Sequence, residues 1–311
     1  MKRETPSKFP ADMLLTVSLA AADGAAINIY GGHMLINVLV CVAICFGADL
    51  LLTVIRAKHA DPYDMTVVCT GLAIAGMMSP AAPWKVCIYA AVFAMCVRHI
   101  TGDIFPPAAV GYIFAELSFP SSVLRYPRPG IITDMSPDTM IRSADINTFL
   151  DDTQYSGLDI LIGRIPGPAA AGSAILIGVC AVVLICARRI SLTVLLTGTI
   201  PVLISMARSG IGAAEAYLGG MYLFVLVFII ADKDYLPQRK LSCVLYGLAV
   251  SAVYMIAVNI SQLSFPIVYA VILTAPLRYL EKPSETPKGK TAGKTDDKAT
   301  EEPVSAEEVS A

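Results

Sequence analysis

The sequence predicts an all-α integral membrane protein with about ten transmembrane helices. Of its 311 residues, 56% are hydrophobic and 15% are charged, and the mean hydropathy of +0.66 is outside the range of a soluble domain. The apolar residues form runs that approach the 17 to 25 residues, roughly, that a spanning helix needs. One long polar interruption divides the runs five and five. We therefore expect two five-helix halves joined by one long external loop.

The first half is predicted over residues 12–119, after a short N-terminal segment, 1–11. Its spans lie near 12–29, 33–55, 65–80, 85–99 and 107–119. The third and fifth spans are short and bounded by proline, which is typical of broken helices that line a site rather than face lipid. The first span also resembles a signal peptide, because Met1-Lys-Arg precedes MLLTVSLAAADG. Its apolar run continues to Tyr30, which favours an uncleaved span.

The second half is predicted over residues 171–280, after the polar interruption at 120–170. Its spans lie near 171–188, 190–207, 215–231, 240–259 and 263–280. The remaining residues, 281–311, are rich in Lys, Glu, Thr, Pro and Ser and have almost nothing to bury, so a disordered tail is expected.

The distribution of basic residues predicts how the chain is oriented. With the N-terminus inside, the predicted short external loops contain only Lys85 and Arg208. The predicted cytoplasmic segments contain eleven others: Lys2, Arg3, Lys8, Arg56, Lys58, Arg98, Arg188, Arg189, Lys233, Arg239 and Lys240. This bias follows the positive-inside rule. It places both termini in the cytoplasm, the loop 120–170 outside, and the protein in the cytoplasmic membrane.

Several classes of function are disfavoured by the sequence. The eight cysteines lie in apolar stretches without C-x-x-C spacing, and the histidines, His33, His59 and His99, are far apart, so no metal site is expected. No phosphate-binding loop or dinucleotide fingerprint is present. The net charge of -2 is spread over the tail and short loops, so no nucleic-acid partner is expected.

Carboxylates inside apolar spans are the most informative single residues, because an ionisable group at membrane depth normally faces a cavity or a partner. These are Asp23, Asp49, Glu116, Glu215 and Asp232. Those near span ends (Asp23, Glu215 and Asp232) also fit side chains that reach the interface.

Asp49 ends a polar stripe that recurs every four residues along the second span. The stripe consists of Asn37, Cys41, Cys45 and Asp49, and we expect it to face the helix bundle. Asp49 and Glu116 are candidates for an ion path. Packing of helices through small and polar residues produces the same stripe without any role in transport.

Two segments place glycine and proline where a membrane helix should begin. They are GDIFPPAAVGY at 102–112 and IPGPAAAGSA at 165–174. Unwound backbone of this kind exposes N–H groups that can bind an anion or a polar ring edge. Alternatively, the glycines and prolines simply mark loops between helices. Phe105, Pro107, Gly167 and Ser173 lie in these two segments.

These segments carry a resemblance to a known family. From Met13 to about Tyr279, the chain resembles the RnfD component of the Rnf electron-transport complex and its relative, the NqrB component of the sodium-translocating NADH:quinone reductase. The resemblance of the segment that begins at Gly102 continues to SFP at 118–120. The other segments that carry the resemblance are MLLTVSLAAADGAAINIYG, DMTVVCTGLAIAGMMSPAAPW and FIIADKDYLPQRK, the last of which retains Asp232 and Pro237.

The resemblance implies a ten-helix subunit of two related halves that passes electrons through flavins inside an ion-pumping complex. In the family, FMN is joined through its phosphate to a threonine of the outer loop, and Thr148 matches that threonine best by position. Riboflavin is held without a covalent bond among the helices. The resemblance makes the candidate cofactor-binding residues those of the matching segments: Phe105, Pro107, Gly167, Ser173 and Asp232. The implied partners are the other membrane and peripheral subunits, with Na+ or H+ as the transported ion.

The sequence also supports a second hypothesis. Asp145-Ile146-Asn147 precedes Thr148 where the family has Ser/Thr-Gly-Ala, so the flavin motif is divergent. A flavin-less structural or docking subunit, or a permease for a small solute, could use the same arrangement of helices.

Overall fold

A computed structural model describes the chain over residues 9–55, 64–102, 104–127, 141–142, 157–209, 217, 221–237, 239–259 and 264–280. Within these ranges nearly every element is helical. The first group of helices is α1 (Phe9–Tyr30), α2 (Gly32–Ile55), α3 (Met65–Met77), α4 (Trp84–Thr101), α5 (Pro107–Ser118) and α6 (Pro120–Val123). Two short antiparallel strands, β1 (Arg125–Tyr126) and β2 (Ile141–Arg142), and α7 (Gly157–Ile162) follow.

The second group of helices begins after an irregular segment at 165–172. It consists of α8 (Ala174–Cys186), α9 (Leu192–Gly198), α10 (Ile200–Ser209), α11 (Met221–Val225), α12 (Lys240–Asn259) and α13 (Pro266–Thr274). A π turn over Leu226–Ile230 continues α11, and 3₁₀ turns occupy Lys233–Tyr235 and Ala275–Leu280.

Four helices of the described residues are long and apolar enough to cross a membrane. They are Asp12–Tyr30, Gly32–Ile55, Trp84–Thr101 and Lys240–Val258. Shorter apolar helices cover Met65–Met77, Ala174–Cys186, Leu192–Arg208, Met221–Ile230 and Pro266–Leu277. The prediction of a helical, multi-pass membrane protein is confirmed, and the count of ten spans stays a prediction.

Helix boundaries follow local capping chemistry. The Asp64 side chain accepts a hydrogen bond from the Thr66 amide at the start of α3, and Ser173 does the same for Leu176 at the start of α8. Proline occupies the first turn of α5 and α13, where its missing N–H costs no hydrogen bond. Gly102 ends α4 in the left-handed conformation with φ of 64°.

Two predicted spans differ from the observed helices. The span predicted at 171–188 begins as a helix only at Ala174, because the backbone at 165–172 is bonded elsewhere. The Ala170 amide donates to the Gly76 carbonyl at 2.9 Å, and the Ala169 amide donates to the Met78 carbonyl at 3.0 Å. The span predicted at 190–207 is an apolar helix over Leu192–Arg208 that one turn residue, Thr199, divides into α9 and α10 just before Pro201.

The two groups of helices share one pattern of neighbours. Among the first five long helices, the first packs on the third, the second on the third and fourth, and the fifth on the third and fourth. The same relations hold among α8, α9, α11 with its π turn, α12 and α13. Helices α5 and α13 also pack on each other.

Helix α2 packs closely on α3 at a glycine and exposes apolar side chains on its opposite face. Gly71 of α3 lies against the α2 backbone so closely that a Cβ atom would be 2.8 Å from the Val42 Cα. The opposite face of α2 exposes a continuous apolar surface suited to lipid or another subunit: Leu35, Ile36, Leu39, Phe46, Leu50, Leu51, Val54 and Ile55.

Candidate functional site

A buried arginine binds three carboxylates at one end of the helix bundle. Arg189, which is 6% exposed, contacts Asp232 through Nη1 and Oδ1 at 2.8 Å and Asp234 through Nη2 and Oδ2 at 2.7 Å. Its Nε lies 3.2 Å from Oδ1 of Asp12 at the start of α1. The fork of the guanidinium allows one cation to contact several acids at once. We call these four residues the Arg189 cluster.

Backbone pairing between the loop after α8 and the loop after the π turn holds the Arg189 cluster in place. Ile190 and Asp232 form an isolated antiparallel bridge, and the Ser191 amide donates to the Ala231 carbonyl at 2.9 Å. The Asp232 carboxylate also accepts a hydrogen bond from the Asp234 amide at 3.0 Å, which starts the 3₁₀ turn. Irregular backbone therefore brings Arg189 together with Asp232 and Asp234, as is typical of sites within membrane bundles.

The cluster has three acids for one cation, and Asp232 is the most deeply buried of the three. Burial raises the pKa of the Asp232 carboxyl to about 7, against the attraction of Arg189. Burial also acts against the charge of Arg189, yet Asp232, Asp234 and Asp12 together hold the pKa of the guanidinium above its usual value. Burial and the charge of Arg189 thus act on the Asp232 carboxyl in opposite directions.

A cavity of about 40 Å³ adjoins the cluster and is lined from both groups of helices. Its walls are Leu15 and Leu19 of α1, residues of α3 from Thr66 to Ala73, the start of α5 at Pro107, and Phe228 with Asp232. At roughly 10–15 Å³ for one water centre, the cavity holds about three waters.

The predicted cofactor-binding residues do not form one site. Pro107 and Asp232 line the cavity, and Phe105 lies two residues before Pro107. Gly167 and Ser173 belong to the chain around 165–173, which is bonded to the opposite end of α3 at Gly76 and Met78. Ten residues of helix, about 15 Å, separate the two ends of α3. Thr148 lies outside the described residues.

The predicted polar stripe of α2 faces the bundle over most of its length. Asn37, Cys41 and Cys45 are buried, and Asp49 is half-buried. The Asp49 Oδ1 atom lies 3.9 Å from Nη1 of Arg98 and 3.7 Å from Nε2 of His99.

Arg98 joins the end of the stripe to the start of α3. It donates to Asp64 at 2.9 Å, and the Thr66 hydroxyl and Arg98 hold the pKa of Asp64 below its usual value although burial acts to raise it. Asp49 therefore shares its cation with a second, stronger partner.

Glu116, the second candidate for the ion path, lies near the C-terminal end of α5. It is buried and 5% exposed. Tyr269 of α13 and Ser264 lie within hydrogen-bonding reach of its carboxylate, and its Oε2 atom has no hydrogen-bond partner among the described residues. Glu116 thus lies at the contact between α5 and α13, far from Asp49 along the helix axes.

Sequence reasoning found Asp232 but not the partners that define its environment. The sequence presents Arg189 only as one of the basic residues of a cytoplasmic loop, and it does not single out Asp12 or Asp234. The contact between Arg189 and Asp232 joins residues 43 positions apart. A local signal existed in the pairing of opposite charges at the ends of successive apolar runs, but several such pairs are possible in the sequence.

Known proteins share extended similarity with this chain. The model of the NQR2, RnfD, RnfE family matches residues 6–279. A Pseudomonas paraeruginosa protein, named as the D subunit of an ion-translocating oxidoreductase complex, is 27% identical over 133 residues, covering 40% of this chain and 39% of the relative. Proteins of the same name are 30% identical over 129 residues in Shewanella amazonensis (39% of this chain, 37% of the relative) and 34% identical over 117 residues in Marinobacter nauticus (35% and 33%).

In these alignments the chain spans about two fifths or less of the length of each curated relative. The family model has a wider reach and includes α1, the Arg189 cluster and α13. Since that model matches far more than half of the sequence, the chain belongs to the NQR2, RnfD, RnfE family.

Proposed function

We propose that this chain is a membrane subunit of an ion-translocating oxidoreductase complex of the Rnf type. The family match over residues 6–279 carries the proposal, and the names of the curated relatives support it. The protein acts with other membrane and peripheral subunits in the cytoplasmic membrane, with both of its termini in the cytoplasm. It couples electron passage through flavin to movement of Na+ or H+ and is not a catalyst on its own.

The ion-conducting part of the proposal uses the stripe of α2 that ends at Asp49. Buried polar side chains along one helix face offer a cation successive partners at membrane depth, where an isolated charge is costly. Because Arg98 pairs more closely with Asp64, its contact with Asp49 is loose, with 3.9 Å between Nη1 of Arg98 and Oδ1 of Asp49. Asp49 can therefore attract a cation while Arg98 keeps its closer contact with Asp64. Glu116 is a second candidate for the path near the other end of α5.

Replacing Asp49 by asparagine tests this path. We expect Na+ or H+ uptake by the reconstituted complex to fall about tenfold, equivalent to about 1.4 kcal/mol of lost attraction for the cation. Folding should be retained, because Asp64 still pairs with Arg98. Asp159→Asn, in the short helix α7, is the matched control and should transport normally. Uptake by Asp49→Asn equal to that of the native complex would rule out Asp49 as part of the path.

The flavin part of the proposal rests on Thr148 and on the family. FMN bound there would supply reversible electron transfer, while the chain would supply the tether. We propose riboflavin binding only on the resemblance, at a position that the described residues do not define.

Mass spectrometry of the intact chain tests the covalent flavin. We expect an added FMN mass after expression with the flavin transferase of the same source, and its complete loss in Thr148→Ala. Thr153→Ala, in the same loop, is the control and should keep the added mass. An unmodified native chain under these conditions would exclude Thr148 as an attachment site.

The second candidate is a flavin-less structural or docking subunit, or a small-solute permease. The Asp145-Ile146-Asn147 sequence before Thr148 favours it. The two candidates differ in a simple observation on gently purified material. A flavin-free chain that purifies with Rnf-type subunits indicates a docking role, whereas a flavin-free chain that purifies alone indicates a permease.

A further inference from the structure

Asp23 is a buried carboxylate without a hydrogen-bond partner among the described residues. It lies in the second half of α1, is 2% exposed, and both of its carboxylate oxygens lack a donor. A carboxylate in such a place is costly, since burial removes its water and no described residue replaces it. Native structures normally satisfy such groups with a partner, and an unsatisfied one points to a bound ion or proton.

Four elements meet around the Asp23 carboxylate. The position of a Cβ atom on Gly76 of α3 would lie 3.0 Å from Oδ1 of Asp23, 2.8 Å from Cβ of Ala170 and 3.1 Å from Cζ of Phe224. The carboxylate thus occupies space that the missing side chain of Gly76 leaves open. It faces α3, the irregular segment 165–172 and α11, and so lies between the two groups of helices.

No other charge is available to neutralise Asp23 from these elements. Helix α3, segment 165–172 and α11 contain no charged residue. Among the titratable groups, the Cys41 thiol of α2 interacts electrostatically with Asp23 and has Cys87 of α4 beside it. The Tyr222 hydroxyl of α11 donates to the Gly198 carbonyl. The Cys180 thiol of α8 donates to the Ser18 carbonyl.

A second unpaired oxygen lies at a similar depth on α2. Asn37 is 1% exposed, its Nδ2 donates to the Ala82 carbonyl at 3.0 Å, and its Oδ1 has no partner among the described residues. Helices α2 and α3 are antiparallel, because Arg98 contacts both Asp49 near the end of α2 and Asp64 at the start of α3. Gly71 of α3 packs on Val42 of α2. Five residues along each helix, about 7.5 Å, bring Gly76 level with Asn37.

We propose that the Asp23 carboxylate binds a monovalent cation, H+ or Na+, between the two groups of helices, with the Asn37 amide oxygen as a second oxygen ligand. Oxygen ligands suit a hard cation such as Na+, and a proton satisfies the carboxylate by converting it to the neutral acid. The use of this ion in transport rests on the proposed function. The site itself rests on the burial of Asp23 and Asn37.

Labelling with dicyclohexylcarbodiimide tests the site on the full native chain. This reagent reacts with protonated carboxyl groups in apolar surroundings, and peptide mass spectrometry identifies the modified residue. We expect Asp23 to be labelled, with the modification absent in Asp23→Asn. If Na+ is the ion, Na+ at ten times its dissociation constant lowers labelling about tenfold by mass action, and choline does not. If H+ is the ion, labelling falls as pH rises and Na+ has no effect.

A matched pair of glycine variants tests the geometry without removing the carboxylate. Gly76→Ala puts a methyl group against Oδ1 of Asp23 and should lower the labelling of Asp23, because the methyl takes up space beside the carboxylate. Gly24→Ala, next to Asp23 but with open space around its added methyl, should leave the labelling unchanged. Circular dichroism of each variant checks that it is folded.

Two results would overturn the proposal. They are the absence of labelling at Asp23 at every pH at which the chain stays folded, and Gly76→Ala that is labelled like the native chain. The proposed function fails separately. A chain that is labelled at Asp23 but does not assemble with Rnf-type subunits keeps the ion site and loses the proposed complex, whereas an assembled, unlabelled chain shows the reverse.

Discussion

Replacement of Arg189 by methionine is expected to lower the free energy of unfolding by about 3–5 kcal/mol, the range typical of breaking a buried ion pair from one side. The expected cost arises because Asp232, which is 4% exposed, is left as a buried acid without its cation. Asp12 and Asp234 lose the same partner. Thermal and denaturant unfolding of the purified chain in detergent measures the loss.

Three further variants separate charge from packing at this site. Arg188→Met removes an exposed arginine at the adjacent position and should change stability by less than about 0.5 kcal/mol. Arg189→Lys keeps the charge without the fork and should fall between the native chain and Arg189→Met. Arg189→Met combined with Asp232→Asn should recover part of the loss. An Arg189→Met chain as stable as Arg188→Met would mean that the cluster does not hold the two loops together.

Replacement of Gly71 by alanine is expected to destabilise the chain by about 1–3 kcal/mol, the usual effect of overpacking. The added methyl would lie 2.8 Å from Cα and 3.0 Å from N of Val42, and both atoms belong to the α2 backbone. A backbone cannot turn aside as a side chain can, so α2 and α3 must separate. Unfolding in detergent measures the effect, and faster reaction of the buried Cys41 thiol with a thiol reagent reports whether the helices have moved apart.

Gly47→Ala is the matched control for Gly71→Ala. Gly47 lies in the exposed face of α2, where an added methyl meets nothing within 4 Å. Alanine is favoured over glycine within a helix by about 1 kcal/mol or less, so this variant should be neutral or slightly stabilised. Equal stability of the two variants would show that contact between α2 and α3 tolerates a wider spacing.

The helices could be predicted well because their signals are local. Apolar runs determine where α2 and α12 lie, and Asp64, Pro107 and Pro266 mark helix starts by their own chemistry. The start of α8 was predicted three residues early, at 171. The apolar sequence of 165–172 is compatible with a helix, and its bonding to the end of α3 is a contact between distant residues.

The candidate sites could be predicted only in part, for the same reason. A carboxylate in an apolar run signals a special environment, as with Asp23, Asp49 and Asp232, but not the kind of environment. Asp232 is paired with Arg189, Asp49 is loosely paired with Arg98, and Asp23 has no partner among the described residues. Only tertiary contacts distinguish these three cases, because each partner comes from another helix or loop.

The bonding of segment 165–172 to the end of α3 has a consequence for biogenesis. The carbonyls of Gly76 and Met78 accept hydrogen bonds from Ala170 and Ala169, which are synthesised long after α3. Polar backbone groups at membrane depth cost several kcal/mol each when they lack a partner. The first five helices therefore cannot reach their final arrangement when they leave the ribosome. Assembly of this end of α3 must wait until the later chain arrives, so the two groups of helices mature together.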